Sequence, residues 1–146
     1  MSITSHVPQV REVKAYHQLL DGGLAADQFD WVPFVQPGRA GVDVEWLYTT
    51  EETAEGAEAC IARYAPGAHS NLHEHLGYEL ILVLDGELRN DSGDVYQKGT
   101  LVLEHPASVH KLTSPLGCTL LIVREKGMIV DLSELPDDAV PDGESS

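Results

Sequence analysis

The stretch "GAHSNLHEHLGYELILVLDG", residues 67–86, sets His73, His75 and Glu79 just ahead of an aliphatic run. Side chains alternate across a strand, so residues of one parity share a face. All three are odd-numbered, and on a continuous strand they point the same way as Ile81 and Val83. Two imidazoles and a carboxylate would then face the interior. A buried, unpaired carboxylate costs several kcal/mol, and a metal ion is one of the few partners that offset it. Further along, "GTLVLEHPASVHKL" supplies His110 just after a proline turn. A neighbouring antiparallel strand could bring it beside the others, although its distance along the chain does not place it there.

The elements that must position these groups read as strands. "GVDVEWLYTT" alternates Val42, Val44, Trp46 and Tyr48 against Asp43 and Glu45, the period of a half-buried strand. "EACIARYAPGA" follows and closes on a Pro66-Gly67 turn, and then come "YELILVLDGEL", a polar "NDSGD" turn, "VYQKGTLVLEHPA", "VHKLTSP" and "CTLLIVREKGMIV". Short strands punctuated by Gly, Pro, Asn and Asp predict an all-β sandwich or barrel. In the N-terminal arm, residues 1–30, Val10, Val13, Tyr16 and Leu20 recur at roughly helical spacing, and Gly22-Gly23 would end such a helix. An extended arm packed along a sheet fits the segment equally well.

At 146 residues the chain suits one domain with a core of its own. The expected division is an arm over 1–30, a barrel over 31–130 and an acidic, disordered tail over 131–146. The net charge of −15, with nine Lys and Arg, argues against a nucleic-acid partner, which needs a basic patch. No run of 18 apolar residues predicts a membrane span, and the start of the chain has no signal-like apolar segment, so the expected location is the cytoplasm. Cys60 and Cys118 are widely spaced and read as small core residues rather than a disulfide or a thiolate metal site.

The spacing Gly67, His73, His75, Glu79, Gly86 matches the first cupin motif at every named position. Gly99, Pro106 and His110 resemble the second. There the usual inner glycine is replaced by Ala107 or Ser108, the gap to the histidine is one residue shorter, and the following asparagine is missing. The variant "HPASVHKLTSPLGCTLLIV" resembles the cupin-like domain of ChrR-type anti-sigma factors, and is similar to acetylacetone-cleaving dioxygenases. The resemblance runs from about Trp31 to Glu125. It implies a double-stranded β-helix, a conical jelly-roll barrel, with His73, His75, Glu79 and His110 as ligands of one divalent metal ion. The helical zinc module of ChrR-type proteins has no counterpart ahead of this barrel, so direct sigma-factor binding is not expected.

Ligand softness does not choose among Zn, Fe, Mn, Ni and Cu, with Fe(II) or Zn(II) as the leading pair. Four protein ligands complete a tetrahedral zinc site but leave two positions on octahedral iron. The resemblance therefore implies a metal-dependent dioxygenase for a small oxygenated molecule such as a diketone. The alternative is a non-catalytic metal-binding sensor that answers a small effector; isomerase or lyase activity also fits the fold. His69, Arg63, Trp46, Tyr48 and Tyr64 are candidates for the pocket or for orienting the ligands. The plainer expectation makes His69 and Arg63 rim residues and the aromatics core. His6 and His17 are expected to be solvated, His105 to lie in a loop, Tyr78 to face away from the metal, and Glu74 and Glu104 to be surface charges. By analogy with other cupins, sheet edges could pair two copies in a homodimer.

Overall fold

The computed structural model describes residues 12–36, 38–126 and 129–131, the last three by backbone only. Strands β1 (Val32–Pro33), β2 (Ala40–Tyr48), β3 (Glu58–His69), β5 (Glu79–Asn90), β6 (Val95–Gln97), β7 (Leu101–Glu104), β9 (Leu112–Ser114) and β10 (Cys118–Arg124) make one sheet. Strands β4 (His73–His75), β8 (Val109–His110) and β11 (Ile129–Asp131) make a second, in the order β11-β4-β8. In the large sheet β10 lies between β3 and β5, while β9 pairs with both β3 and β5. That closes a ring of hydrogen-bonded strands, the barrel expected from the strand pattern and the motifs.

The inner face is built by parity. Val42 and Val44 of β2, Cys60, Ala62 and Tyr64 of β3, and Cys118, Leu120 and Ile122 of β10 all point inward. On β5 the inward residues begin as Ile81 and Val83 but end as Leu88. The switch has a cause. Leu120 pairs with Val83 and Thr119 with Asp85, so Leu84 is an extra residue that reverses the alternation. Gly86 follows at φ 78°, where a Cβ would lie 2.2 Å from the carbonyl oxygen of Gly117. Only glycine fits that crossing. Both cysteines are buried and free, and burial pushes their thiols up to about 12 for Cys60 and about 11 for Cys118.

The arm does not form the helix its spacing allowed. Among the described residues it has no regular structure before a single 3-10 turn at Gly23–Ala25; Val10 and His6 lie outside the described residues. Side-chain bonds replace helix formation. Tyr16 Oη donates to Glu45 Oε2 at 2.5 Å, Lys14 Nζ donates to the same oxygen at 3.0 Å, and the Asp30 N–H donates to Oε1 at 2.7 Å. The rings of Tyr16, Phe29 and Trp31 stack in sequence, and Arg63 lies 4.2 Å above Trp31. Glu45, on the polar face of its strand in the sequence pattern, is consequently only 3% exposed. The arm has covered that face.

Burial by itself would raise the Glu45 carboxyl, but the bonds from Tyr16, Asp30 and Lys14 outweigh it and hold the pKa low. A depressed carboxyl stabilises the fold above its unfolded pKa, and that stability is lost as pH falls through the folded value. Docking of the arm should therefore weaken below about pH 4, the range of an ordinary glutamate. Glu45→Gln should cost about 2 kcal/mol at neutral pH, since three donors bond a buried carboxylate and the amide keeps only one accepting oxygen. Urea unfolding followed by tryptophan fluorescence checks both. Equal stability of the two proteins at pH 7 would mean that the arm is held by its rings alone.

Candidate metal centre

The two halves of the first motif do not form one continuous strand. A bend at residues 76–78 separates β4 from β5, and the two belong to different sheets. The parity argument survives the break: His73 and His75 on β4 and Glu79 at the head of β5 all face inward and are at most 2% exposed. His110, unplaced by spacing, arrives through β8, whose register sets it directly opposite His73. The three imidazoles of His73, His75 and His110 offer nitrogens within 4.8 Å of one another.

Each imidazole is turned by its Nδ1. His73 Nδ1 lies 2.7 Å from the Asn71 carbonyl oxygen, which only accepts, so Nδ1 carries the hydrogen. Ser108 Oγ donates its hydrogen to the His105 carbonyl at 2.7 Å, so its contact with His75 Nδ1 at 3.0 Å must be accepting. The Glu104 carboxylate lies 3.0 Å from His110 Nδ1, off line for a good hydrogen bond but close enough to favour a proton there. Glu104 is thus not the ordinary surface charge its loop-edge position suggested.

With hydrogens on the outer nitrogens, the inner ones are left as lone pairs. His75 Nε2 faces Glu79 Oε1 at 2.7 Å, and His73 Nε2 faces His110 Nε2 at 2.9 Å. Electron-rich atoms at those distances need positive charge between them. Protons can supply it, and so can a cation held among the three imidazoles. The donor set fits a divalent metal ion.

Electrostatics act in the same direction. Burial would raise Glu79, but the Arg124 guanidinium and the bond to His75 outweigh it and hold Glu79 well below the usual carboxylate range. Arg124 Nε donates to Glu79 Oε2 at 2.5 Å, and its Nη1 bonds Glu58 Oε2. Burial, with His110 alongside, pushes His73 down to about 3, keeping that ring neutral. Burial also lowers His75, but the Glu79 contact more than reverses it, so His75 would carry the compensating proton.

Glu58, Arg124, Glu79 and Glu104 stand in one lateral row: Arg124 pairs with Glu58 and with Glu79, and Glu79 with Glu104. Parity could have exposed part of it. Arg124 shares its face with Leu120 and Ile122, and Glu58 with Cys60 and Ala62. Both were passed over, as were Asn71 and the hydroxyl of Ser108.

The pocket candidates divide. Tyr64 lies inside the barrel, and Trp46 packs edge-on against Phe34 beside the core. Tyr48 is exposed, and Arg63 sits outside, 3.2 Å from Asp43. His69 is half-buried between β2 and β9, its Nδ1 3.2 Å from the Ser70 carbonyl oxygen. His105 is exposed near Tyr78, as expected of a loop residue.

The missing glycine of the second motif has a visible consequence. His105 to Ser108 form a turn closed by the Ser108 N–H donating to the His105 carbonyl, with Pro106 second and Ala107 third at φ 72°. That third position favours glycine, and an L side chain there costs about 1–2 kcal/mol. Ala107→Gly should therefore stabilise the protein by about 0.5–1 kcal/mol after the extra chain entropy is deducted. Urea denaturation measures it, and a net loss would mean that the methyl group makes packing contacts worth more than the strain.

The barrel has many structural relatives. An acetylacetone dioxygenase from Acinetobacter johnsonii superposes with a TM-score of 0.66 at 16% identity, covering 90% of this chain and 85% of that one. The polyketide cyclase RemF from Streptomyces resistomycificus gives 0.63 at 18%, covering 76% and 84%. A chain of the Rhodobacter sphaeroides SigE complex with the anti-sigma factor ChrR gives 0.55 at 24%, covering 68% of this chain but half of its own length. At these identities the likeness shows the fold alone. No curated protein matches the chain by sequence at a significant level. The family profile described as the ChrR Cupin-like domain matches residues 21–128, a span holding every donor around the centre, and the chain belongs to that family.

Proposed function

We propose that His73, His75, Glu79 and His110 hold one divalent metal ion, and that the protein is a metal-dependent dioxygenase for a small oxygenated compound such as a diketone. The observation that carries the reading is the meeting of three buried imidazoles and a carboxylate, His75 Nε2 against Glu79 Oε1 at 2.7 Å and His73 Nε2 against His110 Nε2 at 2.9 Å. Such a metal supplies a Lewis acid for substrate oxygen and a site for dioxygen. The chain's own residues do the rest: Asn71 and Ser108 orient His73 and His75, while Arg124 keeps Glu79 anionic. The acetylacetone dioxygenase among the structural relatives supports the choice of substrate class.

A second reading, a metal-binding sensor, is favoured by one observation: none of the four donor residues is more than 2% exposed. A site so enclosed suits an ion held permanently. Metal analysis of protein purified without added metal separates the two. Stoichiometric iron, with oxygen consumed on a diketone panel, supports the oxygenase. Tightly held zinc without turnover would remove it and leave the sensor.

A further inference from the structure

Arg39, in the connection between β1 and β2, is a cation without an anion. Its Nη2 donates to Asn71 Oδ1 at 2.9 Å, its Nη1 lies 3.4 Å from Tyr64 Oη, and its guanidinium lies 4.3 Å above the Phe34 ring. None of these partners carries a negative charge. The other ion pairs of the barrel involve Lys14, Arg63, Arg89, Arg124, His75 and His110; among the described residues Arg39 has no carboxylate partner. In a chain with 24 Asp and Glu against nine Lys and Arg, that is not for want of carboxylates.

The same cluster holds buried donors with nothing to receive them. Arg39 Nε and Asn71 Nδ2 have no hydrogen-bond partner. Asn71 is 1% exposed, and its amide is not free to flip, because Oδ1 is already committed to Arg39. Leaving buried donors unpaired costs about 1–3 kcal/mol each, so such groups in a folded protein point to an absent acceptor. Cationic charge and unpaired N–H donors on Arg39 and Asn71 match a carboxylate.

The cluster adjoins the metal centre through Asn71. The side chain of that residue is held by Arg39, and its carbonyl receives the Nδ1 hydrogen of His73. We infer that Arg39, Asn71 and Tyr64 form an anion subsite beside the histidine centre, and that it takes the carboxylate of a small organic acid. The inference rests on the function proposed above for its orientation, and narrows the substrate from a neutral diketone to a keto or enol acid.

Acetoacetate tests it, with its methyl ester as the uncharged comparator, by calorimetric titration of the full chain loaded with metal. Acetoacetate should bind at least tenfold more tightly than the ester, and Arg39→Gln should abolish that preference. Asn71→Asp offers a second route that does not depend on removing a packed side chain. It gives the guanidinium an internal carboxylate, so the melting temperature should rise while acetoacetate binding falls at least tenfold. Equal affinity for acid and ester, or unchanged acetoacetate binding in either variant, would overturn the inference. Repeating the titration after chelation keeps the two readings apart. Arg39-dependent binding by protein that takes up no metal upholds the subsite and removes the metal reading; stoichiometric metal with Arg39-independent binding does the reverse.

Discussion

His75→Ala should abolish stoichiometric metal uptake. The imidazole sits at the middle of the donor set, its Nε2 2.7 Å from Glu79 Oε1 and its ring edge-on to both His73 and His110. Its backbone N–H and carbonyl also bond the 107–108 turn, at 2.9 Å and 2.8 Å, so the strand should keep its place when the side chain is cut back. The lost function is then the nitrogen itself. Glu79→Gln is the companion change, keeping the shape and removing the charge. Its metal affinity should fall by more than tenfold, or about 1.4 kcal/mol. Elemental analysis and competition with a chelator read both. Full occupancy in His75→Ala would falsify the ligand assignment, and an unchanged dissociation constant in Glu79→Gln would place the carboxylate outside the coordination sphere.

Arg124→Leu should destabilise the fold by about 3–5 kcal/mol, the usual result of removing one member of a buried ion cluster. Arg124 is 5% exposed and stands between Glu58 and Glu79, bonded to both. Without it two carboxylates are left in the barrel on β3 and β5, on either side of β10, and Glu79 also faces Glu104 on β7. The repulsion should raise the Glu79 pKa into the ordinary carboxylate range or above, so the variant should regain stability on mild acidification, where the wild type gains nothing. Adding Glu58→Gln and Glu79→Gln should restore most of the loss, because uncharged amides do not need the guanidinium. Denaturant unfolding across pH reads all three proteins. A loss under 1 kcal/mol in the single variant would mean that water reaches the row and replaces the arginine.

The parts of the centre that could be read from the sequence share one property. They are local. His73, His75 and Glu79 lie within seven residues, and the alternation of a strand places them on one face even though a bend divides β4 from β5. His110 required a long-range pairing, and only the match to a second motif supplied it. Glu104 reads as a surface charge, and Glu58 and Arg124 carry no signal of their own, for one physical reason. A charged residue at a strand end reads as solvated unless its lateral neighbours are known, and those neighbours come from strands far apart in the chain. The arm was ambiguous for the same reason: the spacing of Tyr16 and Leu20 allowed a helix or an extended arm on a sheet, and the buried acceptor on β2 that holds Tyr16 in the second arrangement lies far along the chain. Glu45 was read as solvated because nothing in its own strand says that another segment will lie on it.

The division of the donors between the two sheets has a mechanical consequence. All three histidines belong to the small sheet, through β4 and β8, while Glu79 belongs to the large one. An ion gripped by all four is a rivet through two plates, and the large plate contributes a single grip. Cutting that grip would leave the ion fastened to the small plate alone, with the Glu104–His110 contact still tying the two plates together beside it.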